Sequence, residues 1–117
     1  HMKKLSLILI LFSLFSFGQQ NISNTNSKKS TFQVSGVCDM CKFRIEKQSL
    51  KIKGVKFAKW DKYSNKLSII YNPRKNILDS IQKQIAYFGH DTEKFTAPLN
   101  IYKNLPECCY YRDSSIH

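Results

Sequence analysis

Three features that usually mark an enzyme are missing from this chain of 117 residues. The chain has no serine triad, no pair of carboxylates at catalytic spacing and no phosphate-binding loop, so we expect no enzymatic activity of the usual kinds. No internal repeat is found either, and the length predicts one small domain.

The sequence also lacks an apolar run long enough to span a membrane. Residues 5–17 are apolar apart from serines, whereas a spanning helix needs roughly 20 apolar residues. Two lysines precede this run, and the small residues Ser16 and Gly18 stand where a signal peptidase recognises its substrate. We therefore interpret His1 as a cloning remnant and residues 2–18 as a signal peptide, and we predict export, to a bacterial periplasm. An uncleaved membrane anchor is the alternative.

Acidic residues are scarce. The chain has 8 Asp+Glu against 19 Lys+Arg, a formal net charge of +11. Such an excess favours an acidic protein surface, anionic lipid or nucleic acid as partner, or it serves only to keep the protein soluble. Because export separates the protein from nucleic acid, we expect no nucleic-acid partner, and we expect membrane contact only through an uncleaved signal.

Cysteine occurs as two tight pairs, Cys38 with Cys41 and Cys108 with Cys109. An even number of cysteines in an exported protein usually indicates disulfides. Neither pair suits a local disulfide, since CxxC closes a very short loop and adjacent cysteines bridge only with strain. A cross-link between the two pairs remains open.

The hydrophobic pattern alternates between strand and helix periods. Residues 19–30 are polar and are predicted to form a flexible linker. Beyond them we predict strands over 31–35, 55–61, 66–72 and 92–96, with helices over 40–52 and 77–88. The alternation within 55–61 does not identify which face of that strand is buried. Each helix has one face expected to be buried, formed by Cys41, Ile45, Ser49 and Ile52 in the first and by Ile77, Leu78, Ile81, Ile85 and Phe88 in the second.

Capping residues support these bounds. Asn76 is predicted to be the N-cap of the second helix, with Asp79 as its capping-box partner, and Gly54 and Gly89 are predicted to end the two helices. The order β-α-β-β-α-β predicts an α+β, ferredoxin-like sandwich, in which one four-stranded antiparallel sheet carries both helices on one face. Residues 98–117 are left as a C-terminal extension with its own cysteine pair.

Residues 31–97 resemble the heavy-metal-associated domain found in copper chaperones, in the amino termini of metal pumps and in periplasmic mercury-binding proteins. The resemblance depends on GVCDMC after the first strand, RIEK in the next helix, the Gly-Val that opens the second strand, YNP, and YFGHD. It implies this same fold and a metal-binding CxxC loop. The family's usual loop is GMxCxxC, and this chain has Val37 in place of the methionine, which is a buried packing residue in the family.

Two thiolates on one short loop can converge on a single soft ion, which means Cu(I), Zn(II), Cd(II) or Hg(II). The loop alone favours Cu(I), because Cu(I) accepts two ligands whereas zinc normally takes four. Cys41 begins a helix, where backbone N–H groups favour a thiolate, and Lys42 and Arg44 are expected to add positive charge. An incoming thiol can also bind such an ion before a donor thiol leaves, which makes transfer easy.

His90 and the tail cysteines are further candidate ligands. In the resembled fold the residue after the glycine of the last loop faces the metal, which makes His90 a candidate ligand; the alternative is a surface histidine at a helix end. The predicted fourth strand should leave Ala97 at the end of the sheet away from the loop. The tail from Ala97 to Cys108 can still reach back to the loop, since it spans roughly 35 Å when extended. Cys108 and Cys109 then form a four-sulfur site with the loop, a second Cu(I) site, or disulfides.

The resulting hypothesis is an exported metal chaperone or scavenger that exchanges a soft ion at Cys38 and Cys41. We expect its partner to be a metal donor or acceptor, such as a metal-pump domain with an acidic docking face. The alternative from another class is a thiol–disulfide redox protein that uses both cysteine pairs. A disulfide-stapled interaction module is a third interpretation.

Overall fold

The computed structural model describes residues 26–113, in which an antiparallel sheet packs against two helices. In chain order the elements are β1 (Lys28–Gln33), α1 (Asp39–Leu50), β2 (Val55–Trp60), β3 (Lys66–Tyr71), α2 (Leu78–Ala86), the short helix α3 (Leu99–Tyr102) and a 3-10 helix (Glu107–Cys109). Strand β3 is central, between β1 and β2, and both pairings are antiparallel. The predicted α+β class and antiparallel sheet are confirmed.

The predicted signal peptide, residues 2–18, lies outside the described residues, as does most of the predicted linker. Among the described residues, no helix is long and apolar enough to cross a membrane.

The linker prediction is wrong for residues 28–30, because β1 already begins at Lys28, which pairs with Tyr71. Backbone pairing with the central strand needs no apolar side chain, so the polar composition of these residues concealed the start of the strand.

One face of the sheet and both longer helices form a single core. Leu67, Ile69 and Tyr71 of β3 are buried at every second position, as a strand period requires. The stripe predicted for α1 is confirmed: Cys41, Ile45, Ser49 and, just beyond the helix, Ile52 are buried. From α2, Ile81 and Ile85 join the same cluster.

A β-bulge explains why the buried face of β2 could not be identified from its sequence. Val55 and Trp60 are both buried although they lie five positions apart, an interval that should place them on opposite faces. The pairing with β3 shifts register between Val55 and Phe57, so one extra residue reverses the alternation.

The predicted capping of α2 is wrong. The helix has Ile77 as its N-cap, with no side-chain cap hydrogen bond, and Ile77 is exposed instead of buried. Asn76 instead uses its amide to donate to the carbonyl of Lys53, and its Oδ1 accepts from the N–H of Ile77. The carboxylate of Asp79 pairs with Lys94, so it forms no capping box.

The predicted fourth strand, residues 92–96, is absent from the described part of the chain. Backbone pairing beside β1 forms a single bridge, between Val34 and Thr92. Two hydrogen bonds flank it, from the N–H of Ser35 to the carbonyl of Asp91 and from the N–H of Glu93 to the carbonyl of Gln33. The N–H of Thr92 then donates to the carbonyl of Phe95 at 2.8 Å, so the chain closes a tight turn. This turn diverts the backbone before a ladder can extend.

The C-terminal extension folds back on the domain. Tyr102, Leu105 and Cys109 are buried in the same core cluster as the sheet and helices. The extension starts near the last loop, because the N–H of Ala97 donates to Asp91 Oδ1 at 2.7 Å. The expectation that Ala97 stands at the far end of a fourth strand is therefore wrong, and the tail has little distance to cover.

Candidate metal centre

The loop that carries the first cysteine pair lies against the ring of Trp60. A Cβ on Gly36 would stand 2.9 Å from two ring carbons of Trp60 and 3.1 Å from the Cβ of Cys41. The indole N–H of Trp60 donates to the carbonyl of Val34 at 2.9 Å, just before the loop. The absence of a side chain at Gly36 lets the loop pack this closely.

Cys38 is the N-cap of α1. Its backbone is extended, and its Sγ accepts a hydrogen bond from the N–H of Cys41 at 3.4 Å. Burial raises the pKa of the Cys38 thiol, but hydrogen bonds from Cys108 and Cys41 outweigh burial, and the net pKa is lowered. Cys38 is therefore the cysteine best suited to be a thiolate, the form that binds metals.

Cys41 lies beneath Cys38 in the core. Their sulfur atoms are 3.1 Å apart, and Cys41 is fully buried. Burial raises the pKa of its thiol, and hydrogen bonds from Cys109 and from the backbone of Val37 only partly oppose this effect. In the absence of metal, Cys41 is thus a thiol that donates to Cys38.

The 3-10 helix brings the second cysteine pair to the first. The Sγ of Cys38 lies 2.7 Å from that of Cys108 and 3.5 Å from that of Cys109, and the two tail sulfurs are 3.9 Å apart. All four thiols are free. The pKa of the Cys108 thiol is raised, mainly because it donates a hydrogen bond to Cys38 and also because it is partly buried. The pKa of the Cys109 thiol is raised mainly by burial, and also because it donates hydrogen bonds to Cys41 and Cys38.

This donor set suits a soft ion. The sulfur atoms of Cys38, Cys108 and Cys109 all lie within 4.8 Å of one another, and Cys41 adjoins Cys38. Four sulfurs at Zn–S distances of about 2.3 Å would be about 3.8 Å apart in a tetrahedron. The 3.5 and 3.9 Å separations already approach this value, whereas the 2.7 and 3.1 Å separations would have to widen.

His90 is not part of the thiol group, although it lies in the core. It is only 1% exposed, so the surface-histidine alternative is wrong. Its Nδ1 donates to the carbonyl of Ser35 at 2.8 Å, and its ring stacks on that of Tyr111. Its Nε2 is buried and has no hydrogen-bond partner among the described residues. Burial lowers the pKa of His90 to about 4, and its role as a ligand stays a prediction.

Lys42 and Arg44 do not point their charges at the thiols as expected. The Lys42 ammonium donates to Glu46 and to the carbonyl of Trp60. The guanidinium of Arg44 contacts the carbonyl of Phe88. The neighbouring thiols and the backbone N–H of Cys41 therefore supply the hydrogen bonds that lower the Cys38 pKa.

Sequence reasoning missed the residues that hold the tail in place. The hydroxyl of Tyr111 donates to the carbonyl of Gly89 at 2.6 Å and accepts from the N–H of Asp91 at 2.9 Å. The guanidinium of Arg112 donates to the carboxylate of Asp91, also at 2.6 Å. These partners lie about twenty positions apart, and no local pattern links them.

Solved structures of other proteins share the fold of this chain. No protein-family model matches the chain, and no curated protein does. A copper form of a CopA variant from Bacillus subtilis is 30% identical; the match covers 60% of this chain and 93% of that one, with a TM-score of 0.51.

Two further solved structures share the fold at lower identity. The structure described as a CopZ metallochaperone is 24% identical, covers 56% of this chain and 98% of that one, and has a TM-score of 0.53. Oxidised MerP from Ralstonia metallidurans is 19% identical, covers 57% and 94%, and has a TM-score of 0.54.

Proposed function

Because the chain belongs to the heavy-metal-associated domain family, we propose that it is an exported, non-enzymatic chaperone or scavenger of a soft metal ion, with Cu(I) favoured. The observation that carries the proposal is the convergence of thiols on Cys38. Its sulfur lies 3.1 Å from that of Cys41 and 2.7 Å from that of Cys108. Sulfur ligands select soft ions over hard ones.

Cu(I) is favoured by the loop and by the similar structures. Cys38 and Cys41 alone satisfy a two-coordinate ion, and the CopA structure above is described as a copper form. Zn(II), Cd(II) and Hg(II) compete for the same sulfurs, because four thiolates in reach suit ions that take four ligands. Each thiol that binds loses its proton to the solvent, so uptake is weaker at low pH.

The partner we propose is a metal donor or acceptor with an acidic docking face, such as a metal-pump domain. Residues 42–75 contain 11 Lys+Arg and only two acidic residues, Glu46 and Asp61. Glu46 is already paired with Lys42, which leaves this half of the domain strongly positive. Complementary charge of this kind speeds the encounter of two proteins.

Metal binding is tested by native mass spectrometry of the reduced full chain with Cu(I), Zn(II) or Hg(II) added in turn. We expect the wild-type chain to bind Cu(I) and the Cys38→Ser/Cys41→Ser variant to lose that ion. An unchanged Cu(I) stoichiometry in the variant would contradict the proposal.

Export is tested separately, by measuring the intact mass of the protein recovered from a periplasmic extract. The mass should correspond to a chain that begins at Gln19.

A thiol–disulfide redox protein is the second candidate, favoured by the lowered pKa of Cys38 and the thiols beside it. A thiolate can attack a disulfide, and a neighbouring thiol can then resolve the mixed disulfide. Such a protein should catalyse repeated reduction of glutathione disulfide by dithiothreitol. A metal carrier should show no turnover, so a catalytic rate that disappears in Cys38→Ser would favour the redox candidate.

A further inference from the structure

We propose that the four cysteines form one closed site for a soft ion, completed by a C-terminal strap, residues 97–112, that keeps the ion from competing thiols. The inference rests on the proposed function and adds a description of how the ion is held, namely by all four cysteines with the strap docked. In this state Cys108 and Cys109 occupy the positions beside Cys38 that thiols of an acceptor protein would otherwise take.

The first argument is the approach of the strap to the loop. Both tail sulfurs lie within 3.5 Å of the Cys38 sulfur, and both belong to the same single turn. Cys109 is fully buried in the core, whereas Cys108 is partly exposed. Cys38 stays partly exposed in this arrangement, but Cys108 holds the ligand position beside it, and an external thiol has to displace Cys108 to take that position on the ion.

The second argument is that both ends of the strap are tied to one carboxylate. Asp91 Oδ1 accepts from the N–H of Ala97 at 2.7 Å and from the guanidinium of Arg112 at 2.6 Å. Arg112 also donates to the carbonyl of Ala97 at 2.8 Å, so the two ends touch each other as well. The carbonyl of Asp91 accepts from the N–H of Ser35, which leads into the cysteine loop.

The third argument is that the strap is packed as well as tied. Gly89 has a φ of +111°, and a Cβ there would stand 2.7 Å from Leu105, which is buried. The rings of Tyr102 and Tyr111 meet edge to face with centroids 5.1 Å apart, and the guanidinium of Arg112 lies 4.3 Å from the centroid of the Tyr102 ring. These contacts pre-order the tail, so its thiols act at a high effective concentration.

Release then needs a defined exchange of ligands. The thiolate of a competitor adds to the ion, one strap thiolate leaves and takes up a proton, and the oxidation state of the metal does not change. The same exchange then removes the second strap thiolate and the two loop thiolates. Because each strap thiolate can rebind while the strap stays docked, loosening the strap should speed release even when all four cysteines are intact.

The experiment uses Cd(II) as the probe on the reduced full chain. The variants are Cys108→Ser/Cys109→Ser, Cys38→Ser/Cys41→Ser, Arg112→Gln and, as a control, Arg74→Gln. Arg74 is exposed and follows Tyr71, which pairs with Lys28 at the end of the sheet opposite the cysteine loop. Two quantities are measured: the ultraviolet Cd(II)–thiolate absorbance per bound ion, and the rate of Cd(II) release to excess EDTA. Emission of the buried Trp60 reports whether each variant is folded.

We expect the Cys108→Ser/Cys109→Ser variant to bind Cd(II) with about half the thiolate absorbance and to release it at least tenfold faster. Arg112→Gln should keep the full absorbance and release Cd(II) about twofold to fivefold faster, the range set by a partly exposed ion pair. Arg74→Gln should match the wild type.

Failures of the two proposals give different results. If the tail double variant matches the wild type in absorbance and release while Cys38→Ser/Cys41→Ser loses Cd(II), the loop alone is the site and the strap inference is wrong. If Arg112→Gln releases no faster than Arg74→Gln, the ends of the strap do not control release. If the wild-type chain binds neither Cd(II) nor Cu(I), the proposed function itself is wrong.

Discussion

Gly36 lies so close to Trp60 that a single methyl group would overlap the indole. A Cβ at position 36 would stand 2.9 Å from the ring, closer than real Cβ contacts allow. Trp60 is fully buried and cannot swing into solvent without opening the core. The packing of this pair therefore sets the path of the cysteine loop.

We predict that Gly36→Ala lowers the free energy of unfolding by about 1–3 kcal/mol, as overpacking usually does, and weakens Cu(I) binding. Urea unfolding and a competitive Cu(I) titration measure the two effects. Trp60→Phe removes the ring atoms that the new methyl would meet, so Gly36→Ala should cost less in that background. An equal cost in both backgrounds would show that the contact with the indole is not the cause.

Cys38 should be the most reactive thiol of the reduced, metal-free chain. Its pKa is lowered, whereas the pKa of Cys108, which has similar partial exposure, is raised. Because the thiolate is the nucleophile, iodoacetamide at pH 7 should modify Cys38 first. Peptide mapping after brief alkylation measures the order.

A variant identifies the cause of that reactivity. Cys108→Ala removes a hydrogen-bond donor to the Cys38 sulfur, so the Cys38 pKa should rise and its alkylation at pH 7 should slow. Faster alkylation in this variant would mean that Cys108 mainly shields Cys38 and does not activate it.

Local patterns in the sequence were sufficient for the loop and the helix beneath it. Cys41, Ile45 and Ser49 are spaced for one helical face, and all three are buried as predicted. The helix was predicted to start at residue 40 with Cys41 in its first turn, and it starts one residue earlier, at Asp39, with Cys38 as its N-cap. The first half of the candidate site could thus be predicted, because it depends on residues close in sequence.

The remaining features depend on contacts between distant residues. The predicted fourth strand failed because Thr92 pairs with Phe95 in a turn, although the local composition suits a strand. The sequence allows three arrangements of the tail cysteines, because the position of the tail depends on the hydrogen bond between Arg112 and Asp91. Periodicity in the sequence carries no information about such a pair.

Burial of His90 predicts that the fold loses stability in mild acid. Its pKa is lowered to about 4 in the folded chain, mainly by burial, against an ordinary value of 6.5. Between pH 6.5 and 4, His90 is therefore protonated in the unfolded chain but stays neutral in the folded chain. This contribution is fully present above pH 6.5 and is lost as the pH falls towards 4, by as much as about 3 kcal/mol.

Urea unfolding of the metal-free chain at pH 7 and at pH 4.5 measures this loss. His90→Gln keeps a neutral polar side chain at the position and cannot take up the proton, so its stability should fall less between the two pH values. If the variant and the wild type lose equal stability, other groups cause the acid sensitivity and His90 is not the main one.

The hydroxyl of Tyr111 holds the tail to the last loop. It donates to the carbonyl of Gly89 and accepts from the N–H of Asp91. Tyr111→Phe keeps the ring but leaves these two backbone groups without their partner. We predict a loss of about 1–3 kcal/mol in the free energy of unfolding, the usual cost of unpaired buried polar groups.

Tyr63→Phe is the matched control, because Tyr63 is 90% exposed. Removing its hydroxyl should change the free energy of unfolding by no more than about 0.5 kcal/mol. Amide hydrogen exchange then locates the effect: in Tyr111→Phe the N–H of Asp91 should exchange faster, since it loses its acceptor, while that of Ile69 in the central strand should be affected only through the global loss of stability. If the Asp91 N–H keeps its protection, a solvent molecule or another side chain has replaced the hydroxyl, and the tail does not depend on Tyr111.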